Sequence, residues 1–190
     1  MRHDSWGAGI ESVMWFLGRR EVVALAVGAV VLGSGCSRNG SGMLAVGSPA
    51  PSLRAFDQHG KERVLDDYKG SVTVVYFYPK DATPGCTEQA CAFRDVWSDY
   101  EAAGVAVLGV STDDRASKAS FAKEHRLPFP ILADPEGRWV EAFGVPTTLG
   151  MASRVTFLLA SDGTVAKTYP DVDPGVHAAT VLEDARGLAK

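Results

Sequence analysis

Apolar and polar positions along this chain follow two periods, and the switches between them mark out its elements. Val72-Thr73-Val74-Val75-Tyr76-Phe77-Tyr78 is a β-branched and aromatic run of strand length, apolar on both faces. That is the pattern of a strand inside a parallel or mixed sheet. Pro79 ends it. Thr83-Pro84 reads as a helix start, with a hydroxyl at the N-cap and proline at the first helical position. Ala90, Phe93, Val96, Trp97 and Tyr100 then recur at helical spacing and predict one apolar helix face, closed by Gly104. Val105 to Ser111 is a second apolar strand. Strand, helix and strand over about 40 residues make a βαβ unit, so the two strands should be parallel.

The flanking segments are shorter. Phe56 to Lys61 predicts a turn between two short strands, and Asp66 to Gly70 a surface turn. Ser111-Thr112-Asp113-Asp114 caps a helix near Arg115 to His125, with Ala119, Phe121 and Ala122 as candidate inward residues. Pro128 to Asp134 predicts a short strand leaving a proline turn, and Pro135 to Phe143 a short helix ended by Gly144. Arg154 to Leu159 and Thr164 to Tyr169 flank Ser161-Asp162-Gly163, the signature of a hairpin. Pro174 to Leu188 is a closing amphipathic helix. Strands alternating with helices predict an α/β domain, residues 43–190, with no internal repeat.

Residues 1–42 have a different character. Arg19-Arg20 precede the apolar run Val22 to Leu32, and Gly33-Ser34-Gly35 lead to Cys36. A basic region, a short apolar run and a small-residue end predict an export signal. The run is too short for a membrane-spanning helix, which needs about 20 residues. Small residues directly before a cysteine resemble a bacterial lipoprotein signal, with Cys36 as the lipidated N-terminus and membrane tether on the periplasmic side of the cell envelope. Gly33 departs from that pattern, which prefers leucine there. The paired arginines also allow a twin-arginine signal, which Glu21-Val22-Val23 matches poorly, and an uncleaved apolar anchor is the alternative. Met14 would begin a more ordinary signal than Met1. Ser37 to Gly42 is a glycine-rich polar linker.

Composition narrows the function classes. The chain has 190 residues and a net charge of -4, with no basic stripe, which argues against nucleic-acid binding. About 150 residues from Met43 onward suffice for one well-filled core. Three cysteines do not make a disulfide scaffold. His59, His125 and His177 are scattered and suggest no metal site, and Trp97 and Trp139 read as core.

The chemistry centres on two cysteines. Cys86 falls in the first turn of the helix after the central strand. Unpaired backbone N–H groups and the positive end of the helix dipole favour a thiolate there. Thr83 lies three residues before it and could hydrogen-bond a bound substrate, while Pro79 and Pro84 stiffen the loop. A buried structural cysteine is the alternative for a lone residue; the strand, the cap and a second cysteine favour a nucleophilic or redox role. Cys91 sits about 140° round the helix from Cys86, with a Cα separation of about 8.6 Å. A disulfide needs less than about 7 Å, so the pair bridges only if the first turns unwind.

Pro79-x3-Thr83-x2-Cys86 resembles the peroxidatic motif of peroxiredoxins. The longer stretch from Phe77 to Asp95, with Thr83-Pro84-Gly85-Cys86-Thr87-Glu88-x2-Cys91, resembles the bacterioferritin comigratory protein or peroxiredoxin Q subfamily, and the similarity extends over about residues 43–190. The resemblance implies a thioredoxin-like fold, a central mixed β-sheet flanked by helices. It implies that Cys86 attacks a hydroperoxide and that Cys91 resolves the sulfenic acid. It further implies that Arg154, ahead of Val155-Thr156-Phe157-Leu158, stabilises the site. It implies that Glu88 helps hold that arginine, although a role in capping the helix is an equal expectation. Thioredoxin or a thioredoxin-like protein is the implied reductant. No metal or organic cofactor is implied, and a monomer is expected.

Two other functions share the fold. An exported copper-delivery protein would use soft thiolates and a distant histidine, but such proteins resemble C-x3-C. A thiol–disulfide oxidoreductase would normally carry C-x-x-C, whereas this chain has C-x4-C.

Overall fold

The computed structural model describes residues 42–189. The reading of residues 1–42 as a leader and linker, with lipidation at Cys36, lies outside the described residues except for Gly42.

The central apolar run forms β3 of a seven-stranded mixed sheet. Its strands are β1 (Arg54–Asp57), β2 (Glu62–Val64), β3 (Thr73–Phe77), β4 (Ala106–Ser111), β5 (Ile131–Ala133), β8 (Val155–Leu159) and β9 (Val165–Tyr169), in the order β2-β1-β5-β4-β3-β8-β9. β3 runs parallel to β4, with Phe77 opposite Val110, and antiparallel to β8, with Phe77 opposite Val155. The predicted βαβ unit is therefore present. The reach of an apolar pattern on both faces becomes clear in the core. Val74, Tyr76 and Tyr78 point into one buried cluster, and Val75 and Phe77 into a second on the opposite face.

The first cluster is covered by α1 (Pro84–Asp95), α2 (Trp97–Ala102), α3 (Arg115–His125) and α5 (His177–Leu188). Phe93 is fully buried, and its ring stacks on Tyr76 at a centroid distance of 4.7 Å. Burying a side chain of that size contributes about 1.5–3 kcal/mol. The second cluster holds Trp139, Val140 and Phe143 around α4 (Arg138–Ala142), and Met43 and Leu44 pack against it. The segment after Met43 lies along β9, with Gly47 donating to the Val165 carbonyl at 2.8 Å. A sheet with helices on both faces and an antiparallel hairpin at one edge is the thioredoxin-like architecture.

Three details differ from the sequence pattern. The single helix expected from Thr83 to Gly104 is broken at Val96, whose φ of -109° and ψ of 19° leave the helical region. Beyond the break, Trp97 packs on Phe129 and the Tyr100 hydroxyl donates to the Ala178 carbonyl at 2.8 Å. Those tertiary contacts outweigh the local continuity of the pattern. In α3, Ala119 is exposed, and Lys118 is buried with Phe121 and Ala122. A lysine at an inward position is hidden from any reading of apolar periodicity. Finally, β6 (Thr147–Thr148) and β7 (Met151–Ala152) form a small separate hairpin. Two-residue strands are too short to show alternation.

Candidate active site

The end of β3 delivers the chain into the loop from Tyr78 to Thr83, and that loop starts α1. Thr83 has the extended conformation of an N-cap, with φ -84° and ψ 149°, and Pro84 occupies the first helical position. The Thr83 hydroxyl does not cap the helix through its side chain. It donates to the Lys80 carbonyl at 3.0 Å, which closes the loop on itself. Its oxygen lone pairs are left as acceptors. Pro79 is half-buried beside the strand end.

Cys86 is the third residue of α1, and its side chain is buried, with 2% of the residue exposed. Cys91 is half-buried on the same unbroken helix, and both thiols are free. Arg154 stands one residue before β8, the strand paired with β3, so the sheet itself carries the guanidinium to the start of α1. Its Nη2 donates to Cys86 Sγ at 3.4 Å and its Nη1 to Gln89 Oε1 at 2.6 Å. The fixed fork of an arginine is thus oriented by one side chain while it presents a positive donor to the sulfur.

Gln89 was not anticipated. The expectation placed Glu88 on the arginine, or in a capping box. Glu88 is exposed and lies beyond the first turn, where there is no acidic residue, and its carboxylate faces Gly175. The physical reason is helical phase. Three residues after Cys86 lies one helical turn on, facing the same side, and that residue is Gln89, whereas Glu88 points away. The signal was available in the spacing. Gln89 is fully buried, and its Nε2 has no hydrogen-bond partner.

Gly85 supplies space. A Cβ at that position would lie 3.2 Å from Arg154 Nη2 and 3.8 Å from Pro174 Cγ. Behind the arginine, His177 is buried. Its Nε2 lies 2.8 Å from the Thr156 hydroxyl, and its ring packs edge-on against Phe93 and Tyr169. Burial first, and the Arg154 charge second, lower the His177 pKa to about 4. A neutral imidazole therefore sits behind a charged guanidinium. His59 is exposed and His125 half-buried. Among the described residues, no group of three or more His, Cys, Asp or Glu side chains could hold a metal ion.

A buried cysteine at a helix start, faced by an arginine from the neighbouring strand on a thioredoxin-like sheet, defines the site class of a thiol peroxidase. Residues 46–168 match the AhpC/TSA family, and the chain belongs to that family, as a peroxiredoxin of the Q or bcp kind. It is 39% identical over 146 residues to a putative peroxiredoxin bcp of Coxiella burnetii, covering 73% of this chain and 97% of the relative. It is 41% identical over 150 residues to the chloroplastic peroxiredoxin Q of Triticum aestivum, covering 77% of this chain and 69% of that protein. Among solved structures, it resembles the bacterioferritin comigratory protein of Xanthomonas campestris, a structure concerned with alkyl peroxide reduction. That match has a TM-score of 0.69 and 32% identity, over 73% of this chain and 92% of that one. These relationships do not favour the copper-delivery or thiol–disulfide exchange alternatives.

Gly85→Ala is expected to push the guanidinium off Sγ and slow the reaction of Cys86 with hydrogen peroxide about tenfold, or about 1.4 kcal/mol of barrier. Stopped-flow measurement of thiol loss checks it. For His177, the folded pKa of about 4 lies below the ordinary histidine value of 6.5. The unfolded chain therefore takes up this proton first as pH falls. The contribution is complete above about pH 6.5 and about 3 kcal/mol of stability is lost as pH falls to about 4. Urea unfolding at the two pH values should show that loss in the wild type, and a flatter dependence in His177→Gln.

Proposed function

We propose that this peroxiredoxin reduces hydrogen peroxide and organic hydroperoxides through Cys86, with Cys91 as the resolving thiol. The observation that carries the reading is the Arg154 Nη2 donor at 3.4 Å from Cys86 Sγ, at the N-terminus of α1. The Cys86 thiolate attacks the terminal oxygen of the hydroperoxide. The O–O bond breaks, sulfur gains the hydroxyl as a sulfenic acid, and the leaving alkoxide or hydroxide takes a proton. Arg154 and the backbone N–H groups of the first turn stabilise the developing charge. The Thr83 oxygen, whose own hydrogen is donated to the Lys80 carbonyl, accepts a hydrogen bond from the O–H of the bound hydroperoxide. The X. campestris relative's link with alkyl peroxide reduction supports including organic hydroperoxides among the substrates.

Resolution follows from helix geometry. Cys86 and Cys91 share one intact helix, with an expected Cα separation of about 8.6 Å. The first turns of α1 unwind, the Cys91 thiolate displaces hydroxide from the sulfenic sulfur, and a disulfide forms with release of water. A dithiol protein of the thioredoxin kind restores both thiols by exchange.

The leader pattern of residues 1–42 supports export, with Cys36 as a lipidated N-terminus. On that reading, a labelled fatty acid supplied to the expressing cell is incorporated into the wild-type protein and not into Cys36→Ala. A wild type that takes up no label would sink the tether.

The catalytic cycle is tested in the full chain carrying Cys36→Ala. One equivalent of hydrogen peroxide is expected to remove both remaining thiols, with a mass loss of two hydrogens. Cys91→Ser should stop at a sulfenic or over-oxidised Cys86, and Cys86→Ser should not react. Free thiols persisting in the wild type after peroxide would overturn the reading.

A further inference from the structure

Lys118 is the only fully buried lysine among the described residues, and the reaction proposed above makes no use of it. Its ammonium has three N–H donors and meets three acceptors. It bonds Tyr78 Oη at 2.9 Å, Asp81 Oδ1 at 2.9 Å and the Ser111 hydroxyl. It also lies 4.7 Å from the centre of the Tyr78 ring, a cation–π contact. Burial pulls its pKa below the usual lysine value, and the Asp81 carboxylate is the first group opposing that fall.

All of this converges on Asp81, in the middle of the loop that starts α1. Asp81 is 6% exposed. Besides Lys118, its Oδ1 accepts from Tyr78 Oη at 2.7 Å, and its Oδ2 accepts from the Ser117 hydroxyl at 2.7 Å. Its backbone N–H donates to Asp113 Oδ2 at 2.8 Å, and Asp113 itself accepts from Ser111 Oγ at 2.7 Å. The ends of β3 and β4 and the first turn of α3 thus fasten a single loop residue. The next residue, Ala82, holds a left-handed φ of 58°. That conformation costs a non-glycine residue about 1 kcal/mol or more, and it persists only where the surroundings impose it. Then come Thr83, tied back to Lys80, and the turn that carries Cys86.

We propose that Lys118 is a positioning residue of the peroxidase cycle: through Asp81 it holds the Pro79–Thr83 loop, so that the start of α1 stays wound and Cys86 stays beneath Arg154. The proposal rests on the peroxidase reading of Cys86 and Cys91. The ion pair sits on the β3 side of Ala82, outside the turns that must open for the disulfide. It therefore biases the balance between wound and unwound α1. Oxidation of Cys86 requires the wound state and resolution by Cys91 the unwound state, so releasing the anchor moves the two steps in opposite directions.

The two steps are timed separately in the full chain carrying Cys36→Ala. Oxidation of Cys86 by hydrogen peroxide is measured in a Cys91→Ser background, and disulfide formation with Cys91 present. Lys118→Met is expected to slow oxidation about tenfold and to speed disulfide formation about threefold. A lone Asp81 left buried in that variant could unfold the domain, so Asp81→Asn with Lys118→Met is made as well. Removing both charges of a buried pair is often tolerated by the fold, and the double variant is expected to show the same opposed changes. Ser117→Ala, which deletes one bond to Asp81, should shift both rates in the same directions by less. A lower melting temperature with both rates unchanged, or with both falling together, overturns the role of Lys118 while the wild-type cycle stands. A wild type whose Cys86 resists peroxide overturns the peroxidase reading and this proposal with it.

Discussion

Cys86 and Cys91 share one helix, and the dimensions of that helix set the terms for everything around it. An α-helix that keeps Cys86 in its first turn holds Cys91 too far away for a bond between sulfurs. The wound helix is suited to attack on a peroxide, because it puts the sulfur among free N–H groups and under a guanidinium. It is unsuited to the step that follows. The domain has to make the first turns of α1 stable enough to hold the site and weak enough to open.

The packing divides α1 along those lines. Its later half is fixed by Phe93, buried against Tyr76 and the α5 side of the core. Its first half has few apolar anchors besides Cys86 itself, and its neighbours there are Arg154, held through Gln89, and the loop around Pro174. Gly85 permits the close approach of the arginine and also lowers the intrinsic helical preference of the same turn. The features that make the site reactive are therefore also features that make the turn easy to open.

Charge is arranged in two layers behind the sulfur. Arg154 is the cation in contact with Cys86, and a buried, neutral His177 keeps a second positive charge from accumulating behind it. Lys118 lies deeper, bonded by Asp81, Tyr78 and Ser111, and it acts on the loop. The partner of Arg154 on that side is the neutral amide of Gln89, and among the described residues the guanidinium makes no ion pair there. Its charge is then directed to the cysteine.

Most of the scaffold could be read from sequence, because it depends on local signals. The apolar run before Pro79, the Thr83-Pro84 helix start and the Ser161-Asp162-Gly163 turn each specify their element by sterics and hydrogen bonding within a few residues. The spacing of the motif likewise singled out Cys86, Thr83 and Cys91, whereas Arg154 stood out only through the family resemblance. The structure brings Arg154 to Cys86 through the pairing of β8 with β3, a contact across 68 positions. Helical phase from Cys86 favours Gln89 over Glu88, but only tertiary structure decided that the arginine would be there to meet it, that the helix would break at Val96, and that Lys118 would turn inward. Each of these depends on partners distant in sequence: a guanidinium from another strand, Phe129 and Ala178 beneath α2, and an aspartate in the loop before α1. Periodicity records which face is apolar. It cannot record a buried charge, whose cost is offset only by a partner brought up from elsewhere in the chain.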